Sequence, residues 1–133
     1  MSYRTIESTR QYCLSLGFQW LVIEDSHLPK GDRRPRFNIF VVEINGYRHL
    51  GQSGTLRLKF YNDCLSDIRF YPDKYEAYLK ILLEKERLDL TNTQEKILNN
   101  VRVWRYEKWG KPYIGWVDIR LEQEEFGWIK KYS

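Results

Sequence analysis

Apolar residues near the start of the chain recur at helical spacing and then give way to dense apolar runs of strand length. Ser2 or Thr5 can cap the first helix, and Gly17 offers a natural stop for it. The runs 18–24 and 37–44 are rich in aromatic and β-branched residues on both alternating sets of positions, which is typical of strands covered on both faces. We therefore predict one helix followed by two interior strands.

Turn residues punctuate the next part of the chain and predict two hairpins. The dipeptide Asn45-Gly46 tolerates the positive φ angles of a type I′ turn, so residues 47–50 should fold back on the preceding strand. Residues 55–61 alternate between apolar and polar side chains, and Asn62-Asp63 turns the chain into a further strand over 65–71.

The second half of the chain alternates between helical and strand patterns. After Pro72, apolar residues at helical spacing predict a helix that Asp73 caps. Thr91 and Gln94 resemble a capping box and predict a short helix that ends at Leu98. The remaining predicted elements are two strands over 101–107 and 113–121, which form a hairpin, and a terminal helix over 122–131.

These elements predict a fold of the α+β class. Neighbouring strands are joined by short connections rather than long crossovers, which favours a mainly antiparallel sheet of about six strands with helices packed on one face. A chain of 133 residues without an internal repeat or a linker fits one domain. We therefore expect residues 1–133 to form a single compact α+β domain.

Composition adds a modest basic bias to this picture. The net charge of +4 and the pI of about 9.0 permit nucleic acid, an acidic protein or an anionic surface as a partner. Cys13 and Cys64 belong to no C-x-x-C or Cys/His cluster, so we expect free thiols and neither a metal nor a cofactor. The N-terminus lacks an apolar signal core and no apolar stretch can span a bilayer, so we expect a cytoplasmic protein without a membrane partner.

A basic loop between the two interior strands, residues 27–36, is the first candidate binding surface. Prolines and a glycine mark it as a stiff connection. Its cations can pair with phosphate oxygens or with acidic side chains; they are Lys30, Arg33, Arg34 and Arg36. A solvated surface loop without a binding role has the same composition, so the sequence leaves both interpretations open.

The polar face of the second hairpin is the second candidate surface. Antiparallel pairing of 55–61 with 65–71 would interleave cations and aromatic rings, which suits the stacking of unpaired bases. The residues of this face are Arg57, Lys59, Tyr61, Asp67, Arg69 and Tyr71. The alternative is an ordinary solvated strand face, because tyrosine favours strands and basic residues protect sheet edges.

Trp109, in the loop between the last two strands, is the candidate for an exposed interface residue, since tryptophan is enriched at binding hot spots. It supports a second class of function, in which the protein is a small adaptor or regulatory protein. Such a protein would bind an acidic protein partner through the basic loop and Trp109, with a homodimer as one form of the assembly.

Enzymatic function is the less favoured interpretation. His27 and His49 lie outside any H-E-x-x-H or H-x-E arrangement, and no nucleophile has an adjacent base in the sequence, so we assign no catalytic residue. A metal-dependent hydrolase would need acidic residues near the second strand to converge in space; these are Glu24, Asp25, Asp32 and Glu43. The leading prediction is a soluble, non-enzymatic protein that binds single-stranded nucleic acid through the basic loop and the basic aromatic sheet face.

Overall fold

One antiparallel sheet of seven strands forms the centre of the fold. The computed structural model describes residues 4–133. In chain order the elements are α1 (Ile6–Ser15), β1 (Leu21–Ser26), β2 (Ile39–His49), β3 (Gln52–Tyr61), β4 (Cys64–Pro72), α2 (Tyr75–Glu86), β5 (Glu95–Leu98), β6 (Val101–Tyr106), β7 (Tyr113–Asp118) and α3 (Ile119–Tyr132). The strands lie in the order β1-β2-β3-β4-β7-β6-β5, so β1 and β5 are the two edges.

The first helix follows its prediction from the sequence. The Thr5 hydroxyl accepts from the backbone N–H of Ser8 at 3.1 Å, and the Ser8 hydroxyl accepts from the backbone N–H of Thr5, which completes a capping box. Gly17 has a φ of 85°, and this left-handed conformation terminates the helix. The other cap that the sequence allowed, Ser2, lies outside the described residues.

The prediction of a hairpin turn at Asn45-Gly46 is wrong. β2 continues through this dipeptide to His49, and its pairing with β3 shifts register there. The dipeptide forms a β-bulge in which Gly46 has a φ of 67°. The chain reverses instead at Leu50 and Gly51, whose φ angles are 52° and 78°.

Two predictions around α2 also need correction. The Asp73 carboxylate does not cap this helix, because it accepts a hydrogen bond from the Ser53 hydroxyl at 2.9 Å. The segment that Thr91 and Gln94 were expected to open as a helix contains strand β5 instead, which pairs with β6. The helix α2 itself lies where its apolar spacing predicts it.

The last helix begins earlier than the sequence pattern indicates. Asp118 accepts a hydrogen bond from the backbone N–H of Leu121 at 3.1 Å, so it is the N-cap of α3 and β7 ends at this residue. Asn100 donates to the same carboxylate at 3.2 Å. Asp118 is buried, and these two donors compensate its lost hydration.

Alternation along the strands gives the sheet two different faces. The first face is apolar, and on β3 it carries Leu56, Leu58 and Phe60. Helices α1 and α2 pack on this face, because Cys13 of α1 and Leu82 of α2 belong to the same buried cluster as the strand residues. This layer is the main hydrophobic core.

The second face carries Arg57 and Lys59 on β3 and is partly covered by α3. The Lys59 ammonium lies 2.9 Å from the Glu125 carboxylate, and Arg102 of β6 donates two hydrogen bonds to Glu122 at 2.9 and 3.0 Å. The α+β class and the antiparallel sheet are confirmed. The helices, however, lie on both faces rather than one, and the sheet has seven strands rather than about six.

Gly54 of β3 lies so close to the backbone of β4 that a side chain does not fit between the two strands. A Cβ at this position would lie 2.8 Å from the Cα of Pro72 and would overlap the backbone oxygen of Tyr71, and neither atom can move without disturbing the strand pairing. We expect Gly54→Ala to lower the free energy of unfolding by about 1–3 kcal/mol in a urea titration.

Gly127→Ala is the matched control for this substitution. No heavy atom lies within 4 Å of a Cβ built at Gly127, and the residue is in α3, so this change should raise stability by about 0.5–1 kcal/mol. Equal stability of the two variants would show that β3 and β4 can separate to accept a methyl group.

Candidate nucleic-acid interface

The basic loop is held in place by two of its own arginines. Arg34 forms an ion pair with Asp32 at 2.7 Å and donates to the backbone oxygen of Tyr132 at 3.1 Å. Arg36 donates to the backbone oxygen of Asn62 at 3.1 Å. Both cations thus act within the fold, where they tie the loop to the end of α3 and to the β3–β4 turn.

The other two cations of the loop face solvent. Lys30 and Arg33 are exposed and form no salt bridge with any residue from 4 to 133. Of the four predicted phosphate ligands in the loop, these two keep their charge fully available to a partner.

The strand pairing that defines the candidate sheet face is confirmed. Arg57 lies opposite Arg69, and Lys59 lies opposite Asp67. Tyr71 follows on the same face two residues after Arg69. The cations and the aromatic ring are therefore interleaved, as the alternation in the sequence predicts.

Helix α3 divides this second face into a covered and an open half. In the covered half, the charge of Lys59 is engaged by Glu125. Tyr61 is only 4% exposed and packs with Phe37 and Leu121. A buried ring cannot stack on a base, so Tyr61 does not belong to a stacking surface in this structure.

The open half of the second face consists of half-buried side chains that form no salt bridge with α3: Arg57, Arg69, Tyr71, Trp104 and Tyr106. All of them except Arg57 surround the buried ring of Tyr113. The Arg69 guanidinium lies 4.9 Å from the centroid of that ring, and the rings of Tyr71 and Tyr106 each lie 5.1 Å from it. The result is a contiguous basic and aromatic surface.

Trp104 and Tyr106 are site residues that the sequence analysis did not identify. Alternation along β6 makes Trp104 and Tyr106 point to one face of the sheet and the buried Val103 to the other. The sequence pattern alone therefore indicates that these two residues share a face. The missing information was strand order, because β7 and then β6 follow β4 in the sheet. The Trp104 indole packs over Gly115, where a Cβ would lie 2.5 Å from the ring.

The two arginines of the open half differ in their ion pairing. Arg57 forms no salt bridge within the described part of the chain, whereas Arg69 lies 3.6 Å from Asp67. Burial raises the pKa of the Asp67 carboxyl, although the positive charges of Arg69 and Lys59 oppose this effect. Among the described residues Arg57 therefore forms no salt bridge, although Glu43 of β2 is its cross-strand neighbour on the same face.

Trp109 and the basic loop lie at opposite ends of the sheet. The loop leads into β2 at Ile39, which pairs with Tyr61 at the end of β3. Trp109 lies in the loop that leads into β7 at Tyr113, beside the end of β4 where Phe70 pairs with Ile114. Trp109 is 79% exposed and lies at the end of the sheet away from the basic loop.

The four carboxylates considered for metal-dependent hydrolysis do not converge. Glu24 lies opposite Val41 on the second face, and Glu43 lies on the same face two residues further along β2, whereas Asp25 points to the first face. Asp32 is paired with Arg34 in the basic loop. Among residues 4–133, no group of three or more histidine, cysteine or acidic side chains is arranged to hold a metal ion.

Comparison with models of protein families and with curated proteins finds no match to this chain. Within residues 4–133, every helix is too short or too polar to cross a membrane.

The Asp32–Arg34 pair predicts a titration that can be measured directly. Hydrogen bonds from Arg34 lower the pKa of the Asp32 carboxyl to about 2. Because this folded-state pKa is below the ordinary value of 3.8, the pair should stay formed above pH 4 and be lost as the pH falls through about 2. NMR titration of the carboxyl carbon should show this midpoint.

Arg34→Ala removes the side-chain donors but keeps the backbone N–H of residue 34, which also donates to Asp32 at 2.9 Å, so the midpoint of Asp32 should rise part of the way toward 3.8. Asp89 is the control within the same spectra, because its pKa is lowered by hydrogen bonds from Thr91 and should not change in the variant. An unchanged Asp32 midpoint would mean that the arginine does not hold the loop in solution.

Proposed function

We propose that this protein is a non-enzymatic binding protein that engages single-stranded nucleic acid through the open half of the second face. The observation that carries the proposal is the position of Arg57. This cation has no ion-pair partner among residues 4–133, and it lies on a strand face beside half-buried aromatic rings.

The aromatic side chains supply surfaces for unpaired bases. Tyr71, Trp104 and Tyr106 are half-buried, so each ring is anchored in the sheet and keeps part of its surface open. Stacking of one base on such a ring contributes about 1–3 kcal/mol and depends little on sequence. Sheets that bind single strands of RNA use aromatic residues in this way.

The cations supply contacts to the phosphate backbone. Arg57 and Arg69 face each other across β3 and β4, and Arg69 is oriented by Asp67 and by the ring of Tyr113. A guanidinium group that is already oriented loses little freedom when it pairs with a phosphate. Lys30 and Arg33 can extend the contact at the end of the sheet where the basic loop lies, because both are exposed.

Charge reversal at Arg57 tests the proposal. Fluorescence anisotropy with labelled single-stranded DNA, single-stranded RNA and duplex DNA should show tighter binding of the single strands. Arg57→Glu should weaken that binding by about tenfold or more at low salt. The slope of log affinity against log salt should become less steep by about 0.7, which corresponds to one lost phosphate contact.

Lys80→Glu is the matched control, since it makes the same charge change at an exposed position of α2, which packs on the other face. Lys59 is avoided because a glutamate there would face Glu125 and disturb α3. Tyr71→Leu should weaken single-strand binding without changing the salt slope. Equal effects of the two charge reversals, or no single-strand binding at low salt, would rule out this surface.

A second candidate function follows from the exposure of Trp109. The ring is 79% exposed and is flanked by Lys108 and Lys111, so it combines an apolar contact surface with positive charge. We propose as the alternative that this loop docks an acidic protein partner, or a second copy of the chain. It would do so without the basic loop, which lies at the other end of the sheet.

Trp109→Ala tests this alternative. A labelled peptide of alternating glutamate and leucine should bind the unmodified protein, and the substitution should weaken binding by about 30-fold, equivalent to about 2 kcal/mol. Neutralising Lys108 and Lys111 should instead slow association modestly. Sedimentation of the unmodified protein and of the Trp109→Ala variant shows whether Trp109 holds two copies together. If the unmodified protein neither binds the peptide nor self-associates, Trp109 has no interface role.

A further inference from the structure

A cleft of about 530 Å³ opens on the first face of the sheet, between α1 and α2 and beside β5. It lies on the opposite side of the sheet from the open half of the second face. Its volume equals that of about 18 liquid waters and is in the range of pockets that hold small organic molecules. Most of its lining is apolar.

The floor of the cleft is an uncovered apolar area at the centre of the sheet. Ile68 of β4 and Trp116 of β7 are directly paired, and both are only half-buried although five other strands flank these two. Central positions on an apolar sheet face are normally covered by helices. Here α1 and α2 leave these two side chains accessible to a ligand.

His49 lines the cleft beside a buried tyrosine. Its Nδ1 contacts the hydroxyl of Tyr78, a residue that is fully buried. The Tyr78 hydroxyl has no other partner in the described residues, so donation to Nδ1 is the arrangement that satisfies it. Burial also lowers the pKa of His49, which favours the neutral ring with its proton on Nε2.

The end of the cleft near α1 is positive. Arg4 lies 5.7 Å from the ring centroid of Tyr12, and it forms no salt bridge with any residue described in the structure. Burial raises the pKa of Tyr47, and the charge of Arg4 partly offsets this, so the hydroxyl of Tyr47 stays protonated and can donate. The acidic residue of the lining is Glu86, whose negative charge partly offsets the lowering of the His49 pKa by burial.

We propose that this cleft binds a small carboxylic acid with an apolar body, which lies over Ile68 and Trp116 while its carboxylate faces Arg4 and Tyr47. The polar groups that line this end are donors or a cation, which selects an acceptor that carries negative charge. The apolar floor excludes water from the body of such a ligand. The site is separate from the proposed nucleic-acid interface.

Decanoate and decanol are a matched pair of probes, because they share an alkyl chain and differ in the head group. Calorimetric titration should give a Kd on the order of 10–100 μM for decanoate. The tryptophan fluorescence of the protein should change, since Trp116 lies on the floor. Arg4→Gln should weaken decanoate binding by about fivefold and leave decanol binding unchanged.

Ile68→Trp fills the floor and should weaken both probes by more than tenfold, with circular dichroism to verify the fold. If that variant does not fold, Leu98→Glu serves instead, because Leu98 is 49% exposed at the edge of the cleft and tolerates a polar side chain. Binding that persists in the folded cleft variant, or that does not distinguish decanoate from decanol, would overturn the proposal. Arg57→Glu should bind decanoate normally, which separates this site from the nucleic-acid surface.

Discussion

The ion pairs that hold α3 against the second face of the sheet are the constraint on which the exposed surfaces depend. Glu122 and Glu125 lie three residues apart, so one side of α3 presents both carboxylates to Arg102 and Lys59. These pairs are partly buried, and removal of one partner would leave the other charge poorly compensated. The position of α3 thereby determines which cations of the second face form ion pairs with the helix and which remain accessible to solvent.

The two faces of the sheet use the same strands for different chemistry. On the first face, α1 and α2 cover the two sides of an apolar layer and leave its centre at Ile68 and Trp116 accessible. On the second face, a single helix covers one half, and the other half retains aromatic rings around Arg69. Alternation along each strand keeps the two environments separate, because neighbouring residues point to opposite sides.

The sequence predicts local features of this fold better than distant ones. The alternation over 55–61 correctly placed Arg57 and Arg69 on one face of the hairpin, because the side-chain pattern and the turn determine which residues share a face. Asn45-Gly46 has the composition of a turn, but the bulge it forms depends on continued pairing with β3. The burial of Tyr61 could not be predicted either, since it requires knowing that α3 returns across the second face.

The sheet is open, so each of its two edge strands, β1 and β5, has a strand neighbour on one side only within the described residues. β1 is exposed along its whole length and contains the apolar run Leu21, Val22 and Ile23. Its register shifts between Val22 and Glu24, and Asp25 adds a second charge directly afterwards. An irregular, acidic edge offers no regular ladder to a neighbouring strand. The bulge in β1 thus interrupts the row of backbone hydrogen-bonding groups along this edge of the seven-stranded sheet.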